Sequence, residues 1–199
     1  MQQNPTRPGR ILITGLLIVL GVVAVDQYTK WLVLETMLRA AGGPDFATWF
    51  GTARPLSYFA EQQDKYIPDT LAPFLNFVMV WNKGISFGMF DVESAALPLI
   101  FMGVALIVSL ALLAWALHAR RPLITVSTAL IIGGALGNSI DRLRFRAVAD
   151  FIDFHIGDRH WPAFNVADSC IVAGAVLLMA DALLTKNDKV PAHGHNGAI

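Results

Sequence analysis

Charge is what this sequence has least of: Asp, Glu, Lys and Arg together make up 15% of its 199 residues. Soluble domains carry about a quarter. With 55% hydrophobic residues and a positive mean hydropathy, the chain is built for a bilayer rather than for water. Neither sign of charge is in excess, since fifteen basic residues face fifteen acidic ones. No surplus of cations is left to neutralise a phosphate backbone, which excludes nucleic acid as a partner. Cysteine is nearly absent. Cys170 alone cannot close an internal disulfide, and within an apolar run it reads as a small packing residue. Also missing are a His-Glu-x-x-His zinc motif and a Gly-x-Ser-x-Gly elbow, and His155 and His160 have no serine nucleophile at hand. His193 and His195 in the C-terminal segment make a poor metal site.

What is present is a series of long apolar runs. Arg7 and Arg10 precede an apolar stretch that superficially resembles a secretory leader, but no small-x-small cleavage site follows. The run resumes after Asp26 and Lys30, which predicts an uncleaved first span over about 11–34. Further spans are expected at 95–117, 123–142 and 164–185, and Pro122 makes the second and third antiparallel neighbours across a tight turn. These runs predict an all-α membrane protein of four transmembrane helices, forming one integral membrane domain over 1–199.

Four spans put both termini on one side. Arg7, Arg10, Arg120, Arg121, Lys186 and Lys189 argue for cytoplasmic termini, while Arg142, Arg144, Arg146 and Arg159 argue against, so charge counting alone leaves the orientation open. The connection over 35–93 is too long for an idle linker and is expected to fold against the membrane surface. Its later part, Leu75 to Phe90, mixes β-branched and aromatic residues with Gly84 and Gly88, predicting short strands and thus a small β-containing extracytoplasmic element in this first outer connection. Trp31, Trp49, Trp81 and Trp161 are expected at the headgroup level. The tail 187–199 is expected to be disordered.

An ionisable side chain inside a bilayer costs several kcal/mol, so the few present are the candidates for chemistry. Asp26 and Lys30 are four apart with the acid first, a spacing that fits an ion pair on one helix face. That pair either lets two charges sit at depth or helps hold substrate. Gly133 and Gly137 clear one face of the third span for close helix approach. Asn138 and Asp141 share a face where that span ends, and Arg142 is positioned to neutralise Asp141. The last span opens with a matching pair, Asn165 and Asp168. Between them, Val148 to Phe154 alternates aspartate with large apolar residues, as a segment dipping into the interface does. Two carboxylates crowded in a low dielectric cannot both ionise easily and come to share a proton. Sharing of that kind is the requirement for aspartyl proteolysis, in which one acid activates water and the other protonates the carbonyl oxygen. Buried acids also mark ion paths, so a small transporter is the alternative, with a non-enzymatic scaffold as a third.

Taken in order, Asp26-x-x-x-Lys30, Asn82-x-Gly84-x-x-Phe87, Gly137-Asn138-x-x-Asp141-Arg142, Val148-x-Asp150-Phe151 and Phe164-Asn165-x-Ala167-Asp168 resemble the lipoprotein signal peptidase (signal peptidase II) family. The resemblance covers nearly the whole chain. It implies catalytic aspartates at Asp150 and Asp168, with Asp26, Lys30, Asn82, Gly84, Asn138, Asp141, Arg142, Asn165 and Ala167 supporting them or binding substrate. It further implies cleavage of diacylglyceryl-modified prolipoproteins on the amino side of the lipidated cysteine. No metal and no organic cofactor are expected. The enzyme is expected to be a monomer among membrane lipids in the bacterial inner membrane, with cytoplasmic termini and an active site near the outer leaflet. Two departures stand out: a longer connection between Lys30 and Asn82, and Ser86 where the family commonly has alanine.

Overall fold

The computed structural model describes residues 8–62, 65–84 and 96–187. Ser86, Phe87, Gly88 and residues 188–199 of the expected tail lie outside them. Among the described residues, four helices are long and apolar enough to cross a membrane. α1 (Pro8–Trp31) runs on into a π-helical segment, Leu32–Met37, and is followed by the short α2 (Phe46–Gly51). α2 starts because the Asp45 carboxylate accepts the Thr48 amide at 3.0 Å, satisfying a donor that the first helical turn leaves open. α3 (Ala96–Ala119) and α4 (Pro122–Phe145) are separated by a turn in which Arg120 adopts a left-handed φ of 51°. Pro122 occupies the first turn of α4, where a missing N–H costs nothing. α4 ends at Arg146, also left-handed, whose amide closes on the Arg142 carbonyl. α5 (Val166–Asn187) completes the bundle and carries helix through Asn187, the first residue of the expected tail.

α4 is the central helix, packed against α1, α3 and α5. Its glycines make this possible. Gly133 lies against Val22 and the Val19 carbonyl of α1, while Gly134 lies against the Ala167 carbonyl of α5, so a β-carbon at either position would collide with the neighbour. α3 is peripheral and turns residues such as Ile107, 69% exposed, outward to where lipid would be.

At the end of the bundle where α1 and α4 finish sits an antiparallel sheet in the order β1-β2-β3-β4: β1 (Tyr66–Ala72), β2 (Leu75–Asn82), β3 (Val148–Ile156) and β4 (Arg159–His160). The sheet draws on both connections rather than the first alone. Val148 to Phe154 belongs to a strand paired with β2, placing Asn82 opposite Val148 and Val80 opposite Asp150. Phe164 then bonds Ile152 in both directions and aligns the start of α5 beside β3. Beneath the sheet is a core of Leu34, Trp49, Phe59, Met79, Phe145 and Phe151. Trp49 faces the protein interior rather than lipid. It is fully buried, stacked near Phe46 and Phe145, because α2 folds inward over the end of α4.

Candidate active site

Each aspartate of interest is held by the element that carries it. Asp150 lies on β3 and is buried. Its Oδ2 accepts from Asn82 Nδ2 of β2 at 3.0 Å, and its Oδ1 accepts from Asn165 Nδ2 at 2.8 Å. Asp168 sits in the first turn of α5, where a carboxylate is favoured by the free N–H groups of the helix start. The Asp168 amide donates to Asn165 Oδ1 at 2.9 Å, and Asp168 Oδ2 accepts the Asn165 amide at 3.2 Å. This reciprocal capping box fixes the carboxylate against the helix end. Asp168 Oδ1 accepts from Asn138 Nδ2 at 2.8 Å, and Asn165 Nδ2 also reaches Asn138 Oδ1 at 3.1 Å. Two side-chain amides thus bridge the two carboxylates.

Below this layer lies a buried charge cluster. Lys30 Nζ is 2.8 Å from Asp26 Oδ2 and 2.7 Å from Asp141 Oδ2, with all three side chains fully buried. Removing charges from water is tolerable here because nearly every oxygen has a donor. Asp26 Oδ1 accepts the Ala167 amide at 3.0 Å, and Asp141 Oδ2 accepts the Ala149 amide at 3.2 Å. Gln27 Nε2 donates to Asp141 Oδ1 at 2.9 Å and to Asp26 Oδ2 at 3.1 Å. Gly137 is required at this crossing, since a β-carbon there would stand 2.6 Å from Asp26 Oδ2. The partner of Asp141 is therefore Lys30 and not Arg142. Arg142 instead donates to the Asn138 carbonyl at 3.3 Å and lies over the Phe101 ring, within Coulomb range of Asp141, Asp150 and Asp168.

Gly84 holds the remaining edge. Its φ of +112° belongs to a region L side chains rarely adopt, and the Phe101 ring fills the space a β-carbon would need. Its amide donates to Asn82 Oδ1 at 2.9 Å, turning the Asn82 amide group toward Asp150.

The electrostatics separate the two acids. Burial, followed by the charge of Asp168, pushes the Asp150 carboxyl up to about 7 against the opposing pull of Asn82, Lys30 and Asn165. Asp168 borders an open cleft of about 510 Å³ with Trp161, Phe164 and Val172 among its walls. One buried acid able to hold a proton near neutrality, beside a second acid open to a cleft, is an arrangement suited to activating water against a carbonyl.

The eleven residues given catalytic or supporting roles fall in one connected network, whereas two other acids of the sequence stand apart: Asp153 bonds Asn76 and His160, and Asp181 pairs with Arg121. Gln27 belongs to the network and was missed: as an amide beside Asp26 within an apolar span, it carried a signal of its own.

A profile of the signal peptidase (SPase) II family matches residues 18–184. The lipoprotein signal peptidase of Methylorubrum extorquens (strain PA1) is 38% identical over 171 residues, covering 85% of each chain. That of Coxiella burnetii (strain RSA 331 / Henzerling II) is 41% identical over 152 residues, covering 71% of this chain and 91% of its own. A solved bacterial membrane enzyme superposes with a TM-score of 0.67 at 26% identity, covering 90% of this chain and 93% of that one.

Proposed function

The chain belongs to the signal peptidase II family, a bacterial multi-pass membrane protease, and we propose that Asp150 and Asp168 are its catalytic pair. Asp168, facing the cleft, takes a proton from water as the oxygen attacks the scissile carbonyl carbon. Asp150, the protonated member, donates to the carbonyl oxygen. The tetrahedral adduct collapses as the C–N bond breaks, and the departing amine takes up a proton from the pair. The observation that carries this reading is the amide bridge of Asn138 and Asn165, which holds both carboxylates side by side without neutralising either. Lys30, Asp26, Asp141 and Arg142 keep the pair in place, and Asn82 and Gly84 fix Asp150 from the sheet side.

The substrate is a prolipoprotein whose cysteine already carries diacylglycerol, cut on the amino side of that cysteine by a single chain. The termini are cytoplasmic and the catalytic pair lies near the outer leaflet. Supporting this orientation, two of the arginines that opposed it are occupied by the fold: Arg142 by Asn138 and Phe101, and Arg144 by Gln27 and Trp49. They count less as free cytoplasmic charges. The test is to incubate purified protein with a diacylglyceryl preprotein and with its unlipidated form, and to read product masses. Release of a product beginning at the lipidated cysteine, from the lipidated form alone, is expected. Equal cleavage of both forms, or a cut elsewhere, would overturn the substrate assignment.

A further inference from the structure

α1 leaves one face uncovered by the bundle, and α2 folds back over it. Between them runs an apolar groove of about 600 Å³, walled by Leu20, Val23, Ala24, Tyr28, Phe46 and Phe50. Gln27 lines it as well, and this residue and Phe50 both touch Arg144: Arg144 Nη1 donates to Gln27 Oε1 at 3.3 Å, and its guanidinium carbon is 5.2 Å from the Phe50 ring centre. A cation therefore stands at the end of the groove where α1 and α4 finish.

That cation lacks a counter-ion. The partners of Arg144 are neutral: the Trp49 carbonyl, the Gln27 amide and the rings of Trp49, Phe50 and Phe145. Asp141, within its Coulomb range, is already engaged by Lys30, Gln27 and the Ala149 amide. Arg54 adds a second, mutually repelling guanidinium, stacked 4.2 Å from the Tyr58 ring centre. Among the described residues no carboxylate forms an ion pair with Arg54 or Arg144, and the Nε of each is buried without a hydrogen-bond partner. Buried donors without partners are costly. Two uncompensated guanidiniums, Arg144 at the end of an apolar groove and Arg54 within Coulomb range of it, suit an anion that carries a hydrocarbon tail in a membrane protein.

We infer that this face binds an anionic glycerophospholipid, its phosphate between Arg54 and Arg144 and an acyl chain along α1 beneath α2. The groove shares no lining residue with the cleft beside Asp168, so this lipid is distinct from the substrate and is not consumed. Bound there, it holds α2 against the bundle.

The test uses the full chain, stripped of lipid in detergent and titrated with phosphatidylglycerol or phosphatidylcholine, with retained lipid counted by native mass spectrometry. A single phosphatidylglycerol held about tenfold or more tighter than phosphatidylcholine is expected. Arg54→Gln with Arg144→Gln removes the preference. Arg54→Gln alone, which deletes no hydrogen bond of the fold, gives a partial loss and guards against misfolding of the double variant. Ala24→Trp, which fills the groove and spares both arginines, loses retention of both lipids while its cleavage of lipidated substrate is unchanged. Equal retention of the two lipids by the native chain, or a preference that survives the double substitution, would overturn the proposal. So would displacement of the lipid by equimolar glycerol phosphate, which would reduce the site to one for a bare anion. A raised KM in Ala24→Trp with phosphatidylglycerol retention intact would assign the groove to the substrate chains and overturn it equally.

Discussion

Asp141 accepts the backbone amide of Ala149 at 3.2 Å through the same oxygen that meets Lys30 Nζ at 2.7 Å. Asp26, the other partner of Lys30, accepts the Ala167 amide at 3.0 Å. One ammonium therefore anchors the residues immediately before Asp150 and Asp168, and a charge cluster within the bundle sets the backbone from which both carboxylates project.

Asp141→Asn tests that role. Breaking a buried ion pair by removing one partner costs about 3–5 kcal/mol. Folded yield and the melting temperature in detergent should drop sharply, while the fraction that folds still cleaves. Full folded yield with complete inactivity would make Asp141 a member of the reacting group instead.

The pH dependence of stability tests the environment of Asp150. Its carboxyl is raised from 3.8 to about 7, so the folded state binds this proton more tightly than the unfolded chain does. The resulting stabilisation is present at the acidic end of that window and is lost as pH rises toward the folded value. Between pH 5 and 8 the loss is on the order of 2 kcal/mol. Melting curves should show a steeper decline with pH for the native chain than for Asp150→Asn. Identical slopes would contradict the raised value.

Gly84→Ala introduces a β-carbon where φ is +112° and the Phe101 ring already stands. Strain of this kind costs about 1–3 kcal/mol, and Asn82 would be pulled off Asp150. Cleavage should fall about tenfold or more. Adding Phe101→Ala relieves the collision but not the backbone strain, so recovery should be partial. Native activity in Gly84→Ala alone would show that the Asn82 contact is dispensable.

Asn165→Ala removes the donor to Asp150 and the acceptor for the Asp168 amide together. Hydrogen bonds between neutral groups, as these are with Asp150 protonated, contribute about 0.5–1.5 kcal/mol each. A fall in kcat/KM of about 10- to 100-fold is expected, read by steady-state cleavage. A change confined to KM would mean that Asn165 binds substrate without orienting the acids.

Much of the site was legible because helical spacing is short-range. Asn138 with Asp141, Asn165 with Asp168, and Asp26 with Lys30 each share a face by local geometry, and each pair enters the network described above. The partner of Asp141 was not legible. Arg142 is adjacent in sequence, whereas Lys30 arrives from another helix, and only the glycine-lined crossing of α1 and α4 brings it near. β3 was hidden for a related reason: Asp150, Phe151 and Asp153 are all buried, so the strand lacks the inside-outside alternation that marks one, and its partner β2 lies far away in the chain. That Trp49 packs inward is not legible, because composition cannot tell an outward-facing ring from one folded in by α2.

The central claim is that two neighbouring acids share the chemistry. The direct measurement is single-turnover cleavage of a diacylglyceryl preprotein by purified Asp150→Asn and Asp168→Asn, alongside melting curves showing that both are folded. Loss of at least about a thousandfold in each folded variant is predicted. Native rates in either one would contradict the account.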